Sequence, residues 1–422
     1  SDRDWSSDVC SSDLCQGNGW EPYPLSLRLV NLVKWFARGG QVPAHRLDSL
    51  ATQARALERQ IEWPILGNHL FANGKALVFV GAYLAGEEGD RWLRRGLAIL
   101  DREIPEQFLA DGGHFERSPM YHDALLWDLC DLIHLAERAG LPALSSRRRD
   151  WLAVLERGLH WSSTLRHPDG DIAFFNDAAF GIAPSLDNLR AYHRRLADGS
   201  VVERAVDGTG THYFADSGYA ALDLGPGHRA LLDLAPVGPD YQPGHAHADT
   251  LSFELSLFGR RLLVNSGTSR YGVDRERLRQ RATAAHNTVE VDGQDSSEVW
   301  SGFRVARRAR PTVTRFENEG GRIHVSAGHD GYRRLAGDNV HYREWEARPG
   351  ELLIQDRVSG PYEQAVARFH LHPEVQAHPD GDGFVLRPAE GGPVRVHCRG
   401  ADRVTLEPAS WHPTFGGLVP NQ

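Results

Sequence analysis

Two histidines and an aspartate occupy alternate positions in Gly244-His245-Ala246-His247-Ala248-Asp249, which runs into Thr250-Leu251-Ser252-Phe253-Glu254-Leu255. If this stretch enters a strand, alternation sets His245, His247 and Asp249 on one face. Two further segments carry matching chemistry: Val264-Asn265-Ser266-Gly267-Thr268 and Ala285-His286-Asn287-Thr288-Val289. Together they have the donor types for a divalent-metal site beside a catalytic histidine. The plainer alternative is a histidine pair that hydrogen-bonds loops at a sheet edge.

The first half holds two more candidate clusters. Gly67-Asn68-His69-Leu70 lies at a helix start, where an asparagine is often only a cap. The denser cluster, Asp111 to Asp123, contains His114, Glu116, Tyr121 and His122. Ser118-Pro119 within it is a helix start, with serine as cap and proline in the first turn. Tyr121 then falls in that first turn, where the positive end of the macrodipole favours a phenolate. A tyrosine with an ordinary pKa of about 10 needs such help to act as a base near neutrality. The competing reading is a buried tyrosine packed against the next helix.

These residues must be positioned by two regions of different periodicity. Leu25, Leu29, Leu32, Val33 and Phe36 form a helical stripe, and Leu47, Leu50, Ala54, Leu57 and Ile61 form another. Further helices are expected near 68–85, 90–109, 119–138, 149–165 and 186–197. From about residue 205 the period becomes two. Strands are expected at 219–224, 229–235, 251–258, 261–265, 288–291, 312–316, 322–326, 341–347, 352–358 and 367–372, at the spacing of an antiparallel sandwich. The expected domains are therefore a helical region, 15–204, and an all-β region, 205–422. Residues 1–14 read like a translated adapter oligonucleotide and are set aside. The only methionine is Met120 and the chain stops abruptly at Gln422, so a fragment open at both ends is expected.

Composition narrows the class. The 422 residues are 41% hydrophobic and carry a formal charge of −9, which argues against nucleic acid as main partner. No apolar run approaches the roughly 20 residues of a membrane helix. Besides Cys10, the cysteines Cys15, Cys130 and Cys398 are widely spaced and form no CxxC. Lysine is limited to Lys34 and Lys75, so arginine carries the positive charge. Arg270, Arg275, Arg277, Arg279 and Arg281, then Arg304, Arg307, Arg308 and Arg310, could grip a polyanionic substrate. Otherwise they make a solvated loop and an exposed strand edge.

Asn68-His69, Arg117-Ser118-Pro119-Met120-Tyr121-His122, Gly244-His245-Ala246-His247-Ala248-Asp249 and Ala285-His286-Asn287-Thr288 together resemble the heparinase II/III-like polysaccharide lyases, to which alginate lyases of related fold are similar. The resemblance implies an N-terminal (α/α) toroid and a C-terminal antiparallel β-sandwich, with the active-site cleft between them, in a periplasmic or secreted protein. It implies β-elimination at a uronic acid of an acidic polysaccharide. In this pattern Asn68 neutralises the C6 carboxylate, while Tyr121 and His245 serve as base and acid. His69, Glu116 and His122 stand where substrate-binding residues lie. The family's structural zinc is held by His, Asp and His, matched here by His247, Asn265 and His286. Asn265 departs from the pattern, because an amide oxygen is a poorer zinc ligand than a carboxylate. Asp249 is the residue that could substitute. No organic cofactor is implied. Two other readings remain at this point: a non-catalytic carbohydrate-binding or exopolysaccharide-assembly protein of the same fold, and a cupin-like metal enzyme using the histidines with Glu254.

Overall fold

A computed structural model describes residues 17–197 and 210–422. The adapter-like segment, Cys10, Cys15 and the expected boundary at 204/205 lie outside the described residues. Helices come first: α1 (Pro22–Phe36), α2 (Ala44–Arg59), α3 (Gly67–Tyr83), α4 (Glu87–Gln107), α5 (Pro119–Arg138), α6 (Arg148–Thr164) and α7 (Leu186–Leu196). Each falls within a few residues of its expected span, because an apolar stripe repeating every third or fourth residue can be buried only as a helix.

The chain divides into two compact units, and the division does not follow the change from helix to strand. One unit runs up to Gln107 and includes Asp128–Leu152; the other comprises Phe108–Trp127 and Ala153–Gln422. In the first unit α1 and α4 pack on α3, which is buried along most of its length. Glycines bring α3 and α4 to backbone contact. A Cβ added at Gly96 would stand 2.6 Å from the Gly74 carbonyl oxygen, and one at Gly81 2.4 Å from the Leu93 nitrogen. The chain's two lysines converge here: Lys34 and Lys75 each lie 2.5 Å from Asp131, and Lys75 also reaches Asp128 at 2.6 Å. Burial works against a charged Lys75, but Asp128 and Asp131 outweigh it and keep the ammonium protonated.

The second unit is built on antiparallel sheets. β1 (His212–Phe214), β2 (Tyr219–Asp223), β3 (Arg229–Asp233), β4 (Phe253–Leu257) and β5 (Arg260–Leu263) lie side by side in chain order. After the short strands β6 (Val289–Val291), β7 (Val299–Trp300) and β8 (Arg304–Val305), a second sheet runs β12-β11-β10-β9. Its strands are β9 (Pro311–Glu319), β10 (Arg322–His329), β11 (His341–Arg348) and β12 (Glu351–Val358). Alternation in β11 points His341, Arg343, Trp345 and Ala347 inward. Trp345, Ala347, Ile323 and Val325 meet Leu222, Leu232, Phe253 and Leu255 of the first sheet in one core, which makes a sandwich. The first sheet's other face is buried too, by Trp161, Leu165 and Phe175 against Tyr219 and Leu231.

Two expectations need correction. Gly244–Asp249 is not in a strand: β4 begins only at Phe253, and the histidines sit on a preceding loop. Main-chain groups there are satisfied irregularly, by Pro243 for Ala246 and by Arg281 for Ala248, so no ladder forms. The expected strand at 367–372 is cut short at Ala367, as β13 (Ala365–Ala367) pairing with β6. Beyond it, the sheet of β14 (Gln376–Asp380), β15 (Gly383–Arg387) and β16 (Val394–His397) had not been expected.

Candidate active site

The structure brings Tyr121 and His245 together. Their rings stack with centroids 3.9 Å apart and planes 26° from parallel, although they stand 124 positions apart in the sequence. Both belong to the second compact unit. Ser118 caps the first turn of α5 by accepting the Tyr121 N–H at 3.2 Å, and its hydroxyl donates to the Asp177 carbonyl at 2.5 Å. The Tyr121 hydroxyl lies 2.8 Å from that of Tyr271. Burial, followed by the charge of Asp177, pushes the Tyr271 phenol well up, so it stays protonated and able to donate. Phe303 and Phe415 wall Tyr271, with centroids at 5.3 and 5.0 Å. On the other side, Glu116 places a carboxylate oxygen 3.4 Å from His245 Nε2.

Beneath this pair is a buried carboxylate that sequence reasoning missed. Asp177 accepts from His245 Nδ1 at 2.9 Å and from His247 Nε2 at 2.8 Å, one histidine on each oxygen. Arg277 forks onto both oxygens, and Thr268 donates to Oδ1 at 3.2 Å. Burial alone would raise the Asp177 carboxyl, but Arg277 and the two imidazoles hold it well below the usual range. The Asn176-Asp177 loop and the histidine loop are laced by backbone: Asp177 N–H donates to the His245 carbonyl, and His247 N–H to the Asn176 side chain. Arg117, Asn176 and Leu251 take left-handed φ values of 60°, 56° and 62° around the site. Such strain in non-glycine residues collects where the fold over-determines a functional geometry. The available signal for Asp177 was only a polar Asn-Asp pair ending the apolar run Ile172-Ala173-Phe174-Phe175.

His247 and His286 form the candidate metal pair. Nδ1 of His247 and Nε2 of His286 stand 3.3 Å apart. Tetrahedral zinc with bonds of about 2.0–2.1 Å to nitrogen spaces its ligand atoms about 3.3 Å apart. An Asp249 carboxylate oxygen lies within 4.8 Å of one nitrogen on each of the two rings. Burial raises the Asp249 carboxyl, and buried Asp233 beside it is raised as well, first by burial and then by the charge of Asp249. A cation beside these two buried carboxyls would offset the cost of charging them. Burial lowers His247 to about 4 and His286 to about 3, so both are neutral, as metal ligands must be. A contrasting chain supports the fit. Arg343, Asp356, His341 and His329 repeat the same order, with His341 and His329 at 3.2 Å, but the Gly331 N–H closes the far nitrogen of His329. In His286 no N–H closes the corresponding Nδ1, and the ring's backbone neighbour is the Gln280 main chain, so Nε2 keeps its lone pair toward His247. Asn265, expected third in the metal set, has its side-chain oxygen engaged by the Asn287 N–H at 3.1 Å.

Other expected residues fall elsewhere. Asn68 and His69 are in the first compact unit, in the first turn of α3. Asn68 is buried but is not the cap, since Leu66 holds that position; His69 bonds Glu62 at 2.9 Å and packs on Tyr23. His122 has no exposed surface: Nε2 bonds the Gly158 carbonyl at 2.9 Å and the ring packs on Trp161. These surroundings make it a core histidine rather than a substrate contact. Glu254 is spent on His167 and on the N–H groups of Phe174 and Asn265, which removes the basis for a cupin-like set. The arginine cluster is not a uniform grip either. Arg277 and Arg281 are fully buried, Arg281 donating to the carbonyls of Ala246, Ser301 and Arg304, while Arg279 and Arg307 pair with Glu276 and Glu298. The five-donor guanidinium is used here to satisfy loop backbone.

A helical region followed by an antiparallel sandwich, with a tyrosine stacked on a loop histidine, defines the class. Residues 10–198 match the family model for the heparinase II/III N-terminus and residues 207–422 that for the heparinase II/III-like C-terminal region. The chain belongs to the heparinase II/III-like family. It is 23% identical over 364 residues to a heparin-sulfate lyase of Bacteroides stercoris, covering 81% of this chain and 51% of that protein. It is 26% identical over 376 residues to FtsZ-localized protein C of Caulobacter vibrioides, covering 84% and 59%. The chain thus spans about half the length of the curated relatives it matches. Among solved structures, heparinase III superposes with a TM-score of 0.79 at 19% identity, over 98% of this chain and 68% of the other. A heparan sulfate lyase from Pedobacter heparinus gives 0.70 at 20%, over 98% and 67%. These likenesses establish the fold as a helical toroid with a β-sandwich.

Proposed function

We propose that this chain is the catalytic part of a polysaccharide lyase that cleaves a uronic-acid-containing acidic polysaccharide by β-elimination. The observation that carries the reading is the stack of Tyr121 on His245, with His245 anchored by Asp177. Tyr121 and His245 carry the two proton transfers between them. The C5 proton is removed, its electron pair forms the C4–C5 double bond, the C4–O4 bond breaks, and the departing O4 is protonated. No water is consumed. A Tyr271 that remains protonated donates to Tyr121 when its phenol ionises, which stabilises the base form. Asn68, carried over from the family pattern, quiets the uronate carboxylate as charge builds on it. Glu116 lies beside His245 and is proposed as a substrate contact.

His247, His286 and Asp249 would hold a zinc ion, with Asn265 bracing the loop through Asn287. Bound there, the metal supplies structural cross-linking of the loop that bears His245. Three relatives named heparin-sulfate lyase support an acidic polysaccharide as substrate; a polymer met outside the cytoplasm fits the periplasmic or secreted location proposed for this chain. Among the described residues no helix is long and apolar enough to cross a membrane.

The test is to incubate the protein with a panel of heparan-type, alginate-type and other uronate polymers and follow the ultraviolet absorbance of an unsaturated uronate. A rise that requires both Tyr121 and His245 is expected. No rise on any uronate polymer, from folded and metal-replete protein, would remove the proposal.

A further inference from the structure

Asp177 does more than fill a buried corner. A carboxylate forked by arginine only accepts hydrogen bonds. The imidazole nitrogens facing it, His245 Nδ1 at 2.9 Å and His247 Nε2 at 2.8 Å, must therefore both carry hydrogen. They are opposite nitrogens of their rings. We propose that Asp177 is a positioning residue that fixes complementary tautomers on the two histidines, leaving the lone pair of His245 on Nε2 and that of His247 on Nδ1. Each lone pair then points where chemistry needs it. Nε2 of His245 is thereby left as the nitrogen that takes up a proton, 3.4 Å from a Glu116 carboxyl oxygen able to accept from it once it has done so, and its ring lies under Tyr121. Nδ1 of His247 faces His286. One buried carboxylate thus couples the reacting histidine to the histidine pair, and Arg277 with Thr268 keeps it charged and oriented. The role assigned to His245 rests on the lyase reading; the tautomers do not.

The experiment labels the histidines of the full chain with 15N and reads tautomers from the imidazole nitrogen shifts, with the His245 and His247 signals identified by their loss in His245→Ala and His247→Ala. Nδ1–H is expected for His245 and Nε2–H for His247. Asp177→Asn keeps the size but offers one acceptor, which Arg277 demands, and turns an N–H toward a histidine. Its kcat should fall roughly 10²–10⁴-fold with KM within about threefold, the scale of swapping a catalytic histidine's tautomer, and at least one histidine should change tautomer. Wild-type His245 protonated on Nε2, or a folded Asp177→Asn protein with wild-type kcat, would overturn the proposal. If that variant does not fold, the wild-type tautomers decide alone. A wild-type protein with no lyase activity would strike the functional reading while leaving the tautomer result to stand or fall separately.

Discussion

Replacing Tyr121 by phenylalanine separates chemistry from packing. The ring that stacks on His245 at 3.9 Å is kept, and only the hydroxyl 2.8 Å from Tyr271 is lost. One hydrogen bond of this kind contributes about 0.5–1.5 kcal/mol to stability. At about 2.1 cal/mol/K of unfolding entropy per residue, that is about 1–3 °C in Tm for a unit of roughly 290 residues. The chemical loss should be far larger. A positioned acid or base contributes about 10²–10⁴ in rate, equivalent to roughly 2.7–5.5 kcal/mol at 1.36 kcal/mol per tenfold. If Tyr121 serves both transfers, the loss lies at or beyond the upper end. The assay is initial rate of unsaturated-uronate absorbance at saturating polymer, with a parallel thermal melt. The reasoning fails if Tyr121→Phe retains kcat within threefold of wild type, or if its activity loss merely tracks unfolding.

Three further outcomes follow from the same geometry. His247→Ala should lose bound metal by elemental analysis and melt at lower temperature; unchanged metal content would dispose of the site at His247 and His286. Lys75→Met leaves Asp128 and Asp131 facing each other without their shared cation, and urea unfolding should show a loss of about 3–5 kcal/mol. Adding Asp128→Asn should recover part of it, and no recovery would count against charge as the cause. Burial lowers His122 to about 3 and His370 to about 4. The unfolded chain, with ordinary histidines near 6.5, then binds more protons between those values, so stability rises with pH across that window and falls on acidification from about 6.5 toward 4. Tm measured across that range should slope accordingly, and His122→Gln should flatten the slope; parallel slopes would contradict the assignment.

Much of the scaffold was legible because its signals are local. A stripe such as Leu25, Leu29 and Phe36, or the alternation His341-Arg343-Trp345, states its period within a dozen residues. The Ser118-Pro119 start of α5 was equally readable, since capping is settled by neighbours along the chain. Strands after Ala367 were not, because they are short and mostly exposed and alternate weakly. Residue types alone also nominated Tyr121, His245, His247 and His286.

The amino-acid order determined which chemical groups the protein owns and the periods that make its helices and sheets. Tertiary structure alone decided that the histidine motif is a loop, that Arg277 and Arg281 are interior struts, and that Asp177 joins two histidines. Those outcomes depend on groups 68, 70 and 100 positions apart meeting in a dry interior. There, an unpaired charge is too costly to persist, so each buried group must find a partner wherever the chain brings one.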